Sequence, residues 1–377
     1  MGLSNKNRGP GEIIVIIEIL SFFILYTFGL SRSLSAVFDT ITVALTIFLM
    51  TQMSFGSEAK WKKRIIIISL ILVFVSSILN LDTFGIGGVM TIVRFWIYAF
   101  LVGEIYIGKR QEVLILMLFL LQLTLLPFVD KSSYNPNTVA LVYLTLGVYI
   151  TLFFEPRTRI LQIFNLVLIV FIEYLIWLTE SRTCLLAFLV YFVLRYFSSF
   201  ILKNKYILLS ICILLTVGSF VYVRAYVGMW KAGDYPLVFN LLALDDPDKG
   251  FFSGRELIWN DCLELLDKSP WFGTGSKVKI QSFDSANFHN SILNCFVVYG
   301  YIVGILVIYM LIRIIMEIKD YMFDPKIRNC TIAFFVFLIV GYSETNLLVM
   351  SFMTFLCLMV AYSRKKEIDL KTCKIDN

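Results

Sequence analysis

The chain has 377 residues, 59% of them hydrophobic and 16% charged, with a mean hydropathy of +0.82. That composition excludes a soluble globular domain and indicates a polytopic membrane protein. The formal net charge of +6 does not point to nucleic acid, because the basic residues follow loop sidedness.

Hydropathy predicts an all-α bundle of about 12 transmembrane helices. They fall near residues 12–30, 35–54, 64–82, 84–107, 111–129, 136–154, 158–178, 182–200, 205–223, 290–312, 329–345 and 346–362. The last two form one apolar run broken by Gly341-Tyr342-Ser343-Glu344-Thr345-Asn346. A single helix of that length would overshoot the bilayer, so a hairpin is expected. The first run is too long for a signal peptide and has no small-residue cleavage site, so it reads as a retained span.

Basic residues alternate from loop to loop. One side carries Lys6 and Arg8, then Lys60, Lys62, Lys63 and Arg64, then Lys109 and Arg110, and so on to the tail from Arg364. The short loops of the other side carry only Arg32, Lys131 and Arg182. The positive-inside rule then makes both termini cytoplasmic and the long loop after span nine extracytoplasmic. The expected organisation is a bundle of spans 1–9 over residues 1–223, an extracytoplasmic loop over 224–289, spans 10–12 over 290–362 and a cytoplasmic tail over 363–377. The seven cysteines are singletons, which gives neither a disulfide framework nor a zinc site.

Few polar residues interrupt the spans. Glu18 lies near the inner end of span one, where snorkelling accounts for it. Arg94 falls near the middle of span four, a costly place that demands an acid or a polar cavity. Glu173 in span seven is its expected partner, in a structural or a functional pair. Asn135-Pro136-Asn137 opens span six with ordinary capping chemistry. The segment Thr179-Glu180-Ser181-Arg182-Thr183 links spans seven and eight so tightly that Arg182 is held at the outer surface. There it either snorkels or meets a phosphate.

The most polar stretch is 251–299, which holds His289, the only histidine. Ser253-Gly254-Arg255-Glu256 fits a capping box with Ser253 at the N-cap. Leu257, Ile258, Cys262, Leu263, Leu265 and Leu266 then make an apolar stripe at helical spacing, predicting a short amphipathic helix on the membrane or the bundle. Arg255 opposes the helix dipole in its first turn, which suits a docked anion such as phosphate, a headgroup anchor or a pairing with a nearby carboxylate. Ser269-Pro270 ends the helix, and Gly273-Thr274-Gly275 makes a turn. Asp245-Asp246-Pro247-Asp248 reads as a solvated turn rather than a metal site. No P-loop, GxGxxG, GxSxG or HExxH motif occurs.

Three of these segments together resemble the O-antigen ligase and O-antigen polymerase superfamily of bacterial envelope enzymes. Thr179-Glu180-Ser181-Arg182 is similar to that family's T-x-S-R opening of a span. Gly254-Arg255 through Trp259, followed by Pro270-Trp271-Phe272-Gly273-Thr274-Gly275, resembles its G-R…W…P-x-x-G-x-G loop. His289-Asn290 with Leu293, Gly300 and Gly304 resembles H-N-x-x-L…G-x-x-G, and Asn135-Pro136-Asn137 resembles its N-P-N.

The resemblance implies a metal-independent glycosyltransferase of the bacterial cytoplasmic membrane, with no cofactor. Its donor would be an undecaprenyl-diphosphate-linked oligosaccharide, and a chain-length regulator would be a candidate partner. In that setting Arg182, Arg255 and Arg94 are candidates to hold the diphosphate, and Arg255 and His289 are candidates for catalysis. Delocalised guanidinium charge suits a leaving diphosphate, and a histidine suits an acceptor hydroxyl. The leading expectation is a polymerase of repeat units for O-antigen, capsular or exopolysaccharide. The alternatives are a ligase acting on lipid A core and a non-catalytic flippase. A flippase should carry its charges in a central cavity, whereas here the polar weight lies in one external loop.

Overall fold

The computed structural model describes residues 5–28, 32–55, 60–128, 135–154, 156, 158–198, 201–233, 254–280 and 287–375. The chain is an all-α polytopic membrane protein. Its helices are α1 (Asn5–Thr27), α2 (Arg32–Thr51), α3 (Lys60–Leu79), α4 (Ile86–Leu101), α5 (Lys109–Leu125), α6 (Pro136–Phe153), α7 (Arg159–Trp177), α8 (Arg182–Phe197) and α9 (Lys205–Ala232). They continue with α10 (Arg255–Lys268), α11 (Ser291–Glu317), α12 (Pro325–Val340), the single turn α13 (Asn346–Val349) and α14 (Ser351–Ile375). Each of the predicted spans overlaps at least one of these helices, the last of them covering both α13 and the start of α14. Among the described residues, seven are long and apolar enough to cross a membrane by length and composition.

The bundle is built around α6, α12 and α14. Every residue from Val139 to Phe153 is buried, as is nearly every residue of α12 from Cys330 onward. A helix that is apolar all round belongs at the centre of such a bundle, while α2 and α7 turn most of their surface outward. Without a hydrophobic force between helices in lipid, polar contacts help to fix neighbours. The Tyr149 hydroxyl does this inside α14: it donates to the Met353 carbonyl and accepts from the Cys357 N–H, entering that helix's backbone ladder.

Hydrogen bonds tie several of the connections together at two ends of the bundle. At one end Lys326 pairs with Glu112 at 2.9 Å, Arg364 with Asp324 at 3.1 Å, and the Ile107 N–H donates to Ser363 Oγ at 2.8 Å. Buried Lys62 donates there to the Val102 carbonyl. At the other end the 273–277 turn is tied to the α3–α4 connection. Thr83 Oγ1 donates to the Thr274 carbonyl at 2.6 Å, and the Lys277 N–H donates to the Thr83 carbonyl at 2.6 Å.

Three boundaries differ from the sequence reading. Helix α9 runs 28 residues, about 42 Å at 1.5 Å per residue, and overshoots the ~30 Å hydrocarbon core. Its overhang is where α10 packs. Helix α14 continues through residues expected to form a tail, because Arg364, Lys366 and Glu367 bond back to Asp324, Gly103 and Tyr106 of the bundle. Helix α11 is broken at Gly300 (φ 83°, ψ 171°), a conformation reserved for glycine. A Cβ there would stand 2.1 Å from the Trp271 carbonyl oxygen, so the break lets the 270–275 loop seat against the helix.

Candidate active site

Helix α10 carries Arg255 to the bundle. Its N-cap is Gly254, in the left-handed region at φ 80° with no side-chain cap. This corrects the expected capping box; Ser253 lies outside the described residues. Glu256 still reaches back to the Gly254 N–H, and burial raises its carboxyl above the usual range. The buried face is Ile258, Trp259, Cys262 and Leu266, while Leu257 is turned outward. Trp259 was not in the predicted stripe, yet it is the anchor. It packs edge-on against Tyr226 and Tyr222 of the α9 overhang, and its Nε1 donates to the Phe288 carbonyl at 3.0 Å.

That last bond places the neighbouring His289. Each residue of 288–291 is held. The His289 N–H donates to Asn287 Oδ1 at 3.1 Å. Buried Asn290 caps α11 through Leu293 N–H and donates to the Tyr342 carbonyl at 3.0 Å. Ser291 donates to the Glu344 carbonyl at 2.8 Å. The 288–291 segment and the α12–α13 hairpin turn are therefore one unit.

The hairpin turn delivers Glu344 between the two predicted residues. Its Oε1 lies 3.4 Å from an Arg255 guanidinium nitrogen, and its Oε2 lies 3.5 Å from His289 Nδ1. All three side chains are mostly shielded, at 23%, 20% and 13% exposure for Arg255, His289 and Glu344. His289 Nδ1 makes no hydrogen bond at that distance. Such contacts are often long in a ligand-free site and tighten around substrate. Glu344 also lines a cavity of about 450 Å³. Its other polar walls include Thr91, Asn137, Ser276, Asn287, Asn294 and Asn346. The cavity is thus rich in amides and hydroxyls, with a carboxylate in its wall.

Backbone strain marks the same place. Among the described residues, only Glu180 (φ 60°) and His289 (φ 47°) have positive φ without being glycine. Such residues cost free energy and persist where the surroundings impose them. Glu180 immediately precedes Ser181 and Arg182. Arg182 itself is exposed in the first turn of α8. Cys184 of that turn lies within electrostatic range of Arg255 and Glu344, which puts the start of α8 beside the cluster.

Arg94 is elsewhere. It pairs with Asp39 of α2 at 3.4 Å and not with Glu173, whose Oε2 has no hydrogen-bond partner. Glu18 joins this second group by accepting from Thr46 Oγ1 at 2.8 Å and from the Tyr98 hydroxyl, so it is buried and hydrogen-bonded rather than snorkelling. Tyr26, Val349 and Met350 separate the Arg94 group from the large cavity and line both.

Among the described residues no group of three His, Cys, Asp or Glu side chains converges as metal ligands would. Asp245-Asp246-Pro247-Asp248 lies outside the described residues.

A family model described as O-antigen ligase matches residues 164–308. Over that segment the chain is similar to the O-antigen polymerase and ligase superfamily, which supports the resemblance drawn from its motifs. The matched segment contains Arg182, Arg255 and His289, and Glu344 lies beyond it. Members of the superfamily are glycosyltransferase-type membrane enzymes. No curated protein and no solved structure matches the chain.

Sequence reasoning missed Glu344 as a site residue. The signal was present: an acid in a short polar break within an otherwise apolar run is costly unless it faces a cavity or a cation. What the sequence lacked was the partner, since Glu344 is separated from Arg255 by 89 positions.

Proposed function

We propose that the protein is a polymerase. It joins undecaprenyl-diphosphate-linked oligosaccharide repeat units into O-antigen, capsular or exopolysaccharide chains at the outer face of the bacterial cytoplasmic membrane, with both termini cytoplasmic. The observation that carries this reading is the Glu344 carboxylate, held between Arg255 and His289 on the wall of a cavity rich in amides and hydroxyls. Amide and hydroxyl linings suit sugar hydroxyls, and a cation beside a carboxylate–histidine pair suits glycosyl transfer from a diphosphate.

In the proposed step, an acceptor sugar hydroxyl in the cavity attacks the anomeric carbon of the donor. The bond from that carbon to the diphosphate oxygen breaks, and polyprenyl diphosphate leaves with the electron pair. Arg255 and Arg182 neutralise it without a metal. The hydroxyl proton passes to the His289–Glu344 pair, with Glu344 stabilising the imidazolium that forms. Arg94, paired to Asp39 behind a layer of side chains, serves the bundle or a second headgroup rather than this diphosphate.

A second reading is ligation of finished glycan to lipid A core, which the description of the matching family favours. Purified protein given only lipid-linked repeat units separates the two. A ladder of longer lipid-linked chains supports polymerase. No ladder, with transfer once lipid A core is added, replaces it with ligase.

A further inference from the structure

The end of the bundle opposite the candidate active site has a groove of its own. Between α2, α3 and α4 lies an apolar cleft of about 530 Å³, walled by side chains such as Ile67, Leu70, Trp96 and Phe100. Its only charged walls among the described residues are Lys60 and Lys63, both exposed. They are three apart on one helix and so share a face.

Among the described residues, the charge there is unbalanced. Helix α3 opens Lys60-Trp61-Lys62-Lys63-Arg64, with no acid in its first turn. Cations at a helix N-terminus oppose the macrodipole, and the arrangement favours an anion. Lys62 is accounted for: it is buried, bonded to the Val102 carbonyl, and near the Trp61 and Tyr362 rings. Lys60 and Lys63 have no acidic partner among the described residues.

The groove's length matches one leaflet. Lys60 to Leu70 is ten residues, about 15 Å along a helix, or half of the ~30 Å hydrocarbon core. A ligand filling it would have a negative head at the lysines and an apolar tail reaching toward the bilayer centre.

We infer that this groove binds an anionic phospholipid. Its phosphate sits between Lys60 and Lys63, and one acyl chain lies along Ile67 and Leu70 against Trp96 and Phe100. The site is distinct from the sugar-diphosphate site and does not depend on it.

The test is native mass spectrometry of the full chain in detergent, titrated with phosphatidylglycerol or with phosphatidylcholine of the same chains. Wild type should retain phosphatidylglycerol about tenfold better or more, as two lysines at a membrane surface allow. K60Q/K63Q should lose that preference. I67W, which fills the cleft but keeps both lysines, should weaken retention of both lipids. K109Q/R110Q, a control pair of exposed basic residues outside the groove, should retain the wild-type preference. The inference is overturned by a wild type without preference, by K60Q/K63Q behaving as wild type, by I67W retaining lipid as wild type does, or by K109Q/R110Q losing as much as K60Q/K63Q. It is also overturned if polyprenyl phosphate displaces phosphatidylglycerol at equal concentration, since the groove would then belong to the carrier lipid.

Discussion

Glu344 joins the two residues that the sequence picks out, and its charge is what makes them a unit. Glu344→Gln keeps the size and removes that charge. Polymer yield should fall by about 10²-fold or more while thermal stability stays near wild type, because His289 loses the group that stabilises its protonated form. Near-normal polymer from Glu344→Gln would show that the carboxylate only anchors Arg255. His289→Ala should lose about 10²–10⁴-fold in turnover and still bind lipid-linked donor. Arg255→Lys keeps charge but loses the planar fork, so donor binding and turnover should both drop severely. A lysine variant with wild-type output would remove Arg255 from the diphosphate. The residues named from the sequence are those whose types are rare in an apolar chain. Glu344 escaped notice because its role exists only when the hairpin turn folds back onto 288–291.

At the scale of elements, the 270–275 loop is seated by glycine. Gly273 (φ 71°) packs against the Val298 carbonyl, where a Cβ would come within 2.4 Å, and Gly300 packs against Trp271 in return. The Tyr301 N–H then donates to the Pro270 carbonyl at 2.7 Å across the break in α11. Gly300→Ala must adopt a conformation that costs about 1–3 kcal/mol for a non-glycine residue, in addition to the clash. A lowered melting temperature and faster proteolysis between α10 and α11 are expected; unchanged values for both would mean that the loop is not held there. The helices themselves were legible, because runs of about 20 apolar residues have few alternatives in lipid. Their interruptions were not. The Ser253 cap failed as a reading because Gly254 takes a left-handed conformation that a spacing rule does not register. The Arg94 partner differed because helix packing, which spacing along the chain does not register, brings Asp39 within 3.4 Å of Arg94.

For the whole molecule, the account requires the site to face outward and the basic end inward. Cys373 is the one exposed cysteine; the other six are buried. A membrane-impermeant maleimide should therefore leave intact spheroplasts unlabelled and should label inverted vesicles. A variant with Cys373→Ser and Lys277→Cys should show the reverse, and labelling of wild-type Cys373 from outside would invert the topology. The proposed chemistry draws its positive charge from arginines, so polymer formation by purified protein should survive EDTA. Loss with EDTA and recovery with magnesium or manganese would return Asp245-Asp246-Pro247-Asp248 to the mechanism. The central claim is that Arg255, Glu344 and His289 act together to extend a lipid-linked glycan. The most direct measurement is the product ladder made by purified protein in lipid nanodiscs from lipid-linked repeat units alone, compared across wild type, Arg255→Lys, Glu344→Gln and His289→Ala. A ladder is expected from wild type and almost none from each variant, with donor binding retained in Glu344→Gln and His289→Ala. A wild-type ladder that all three variants reproduce would contradict it.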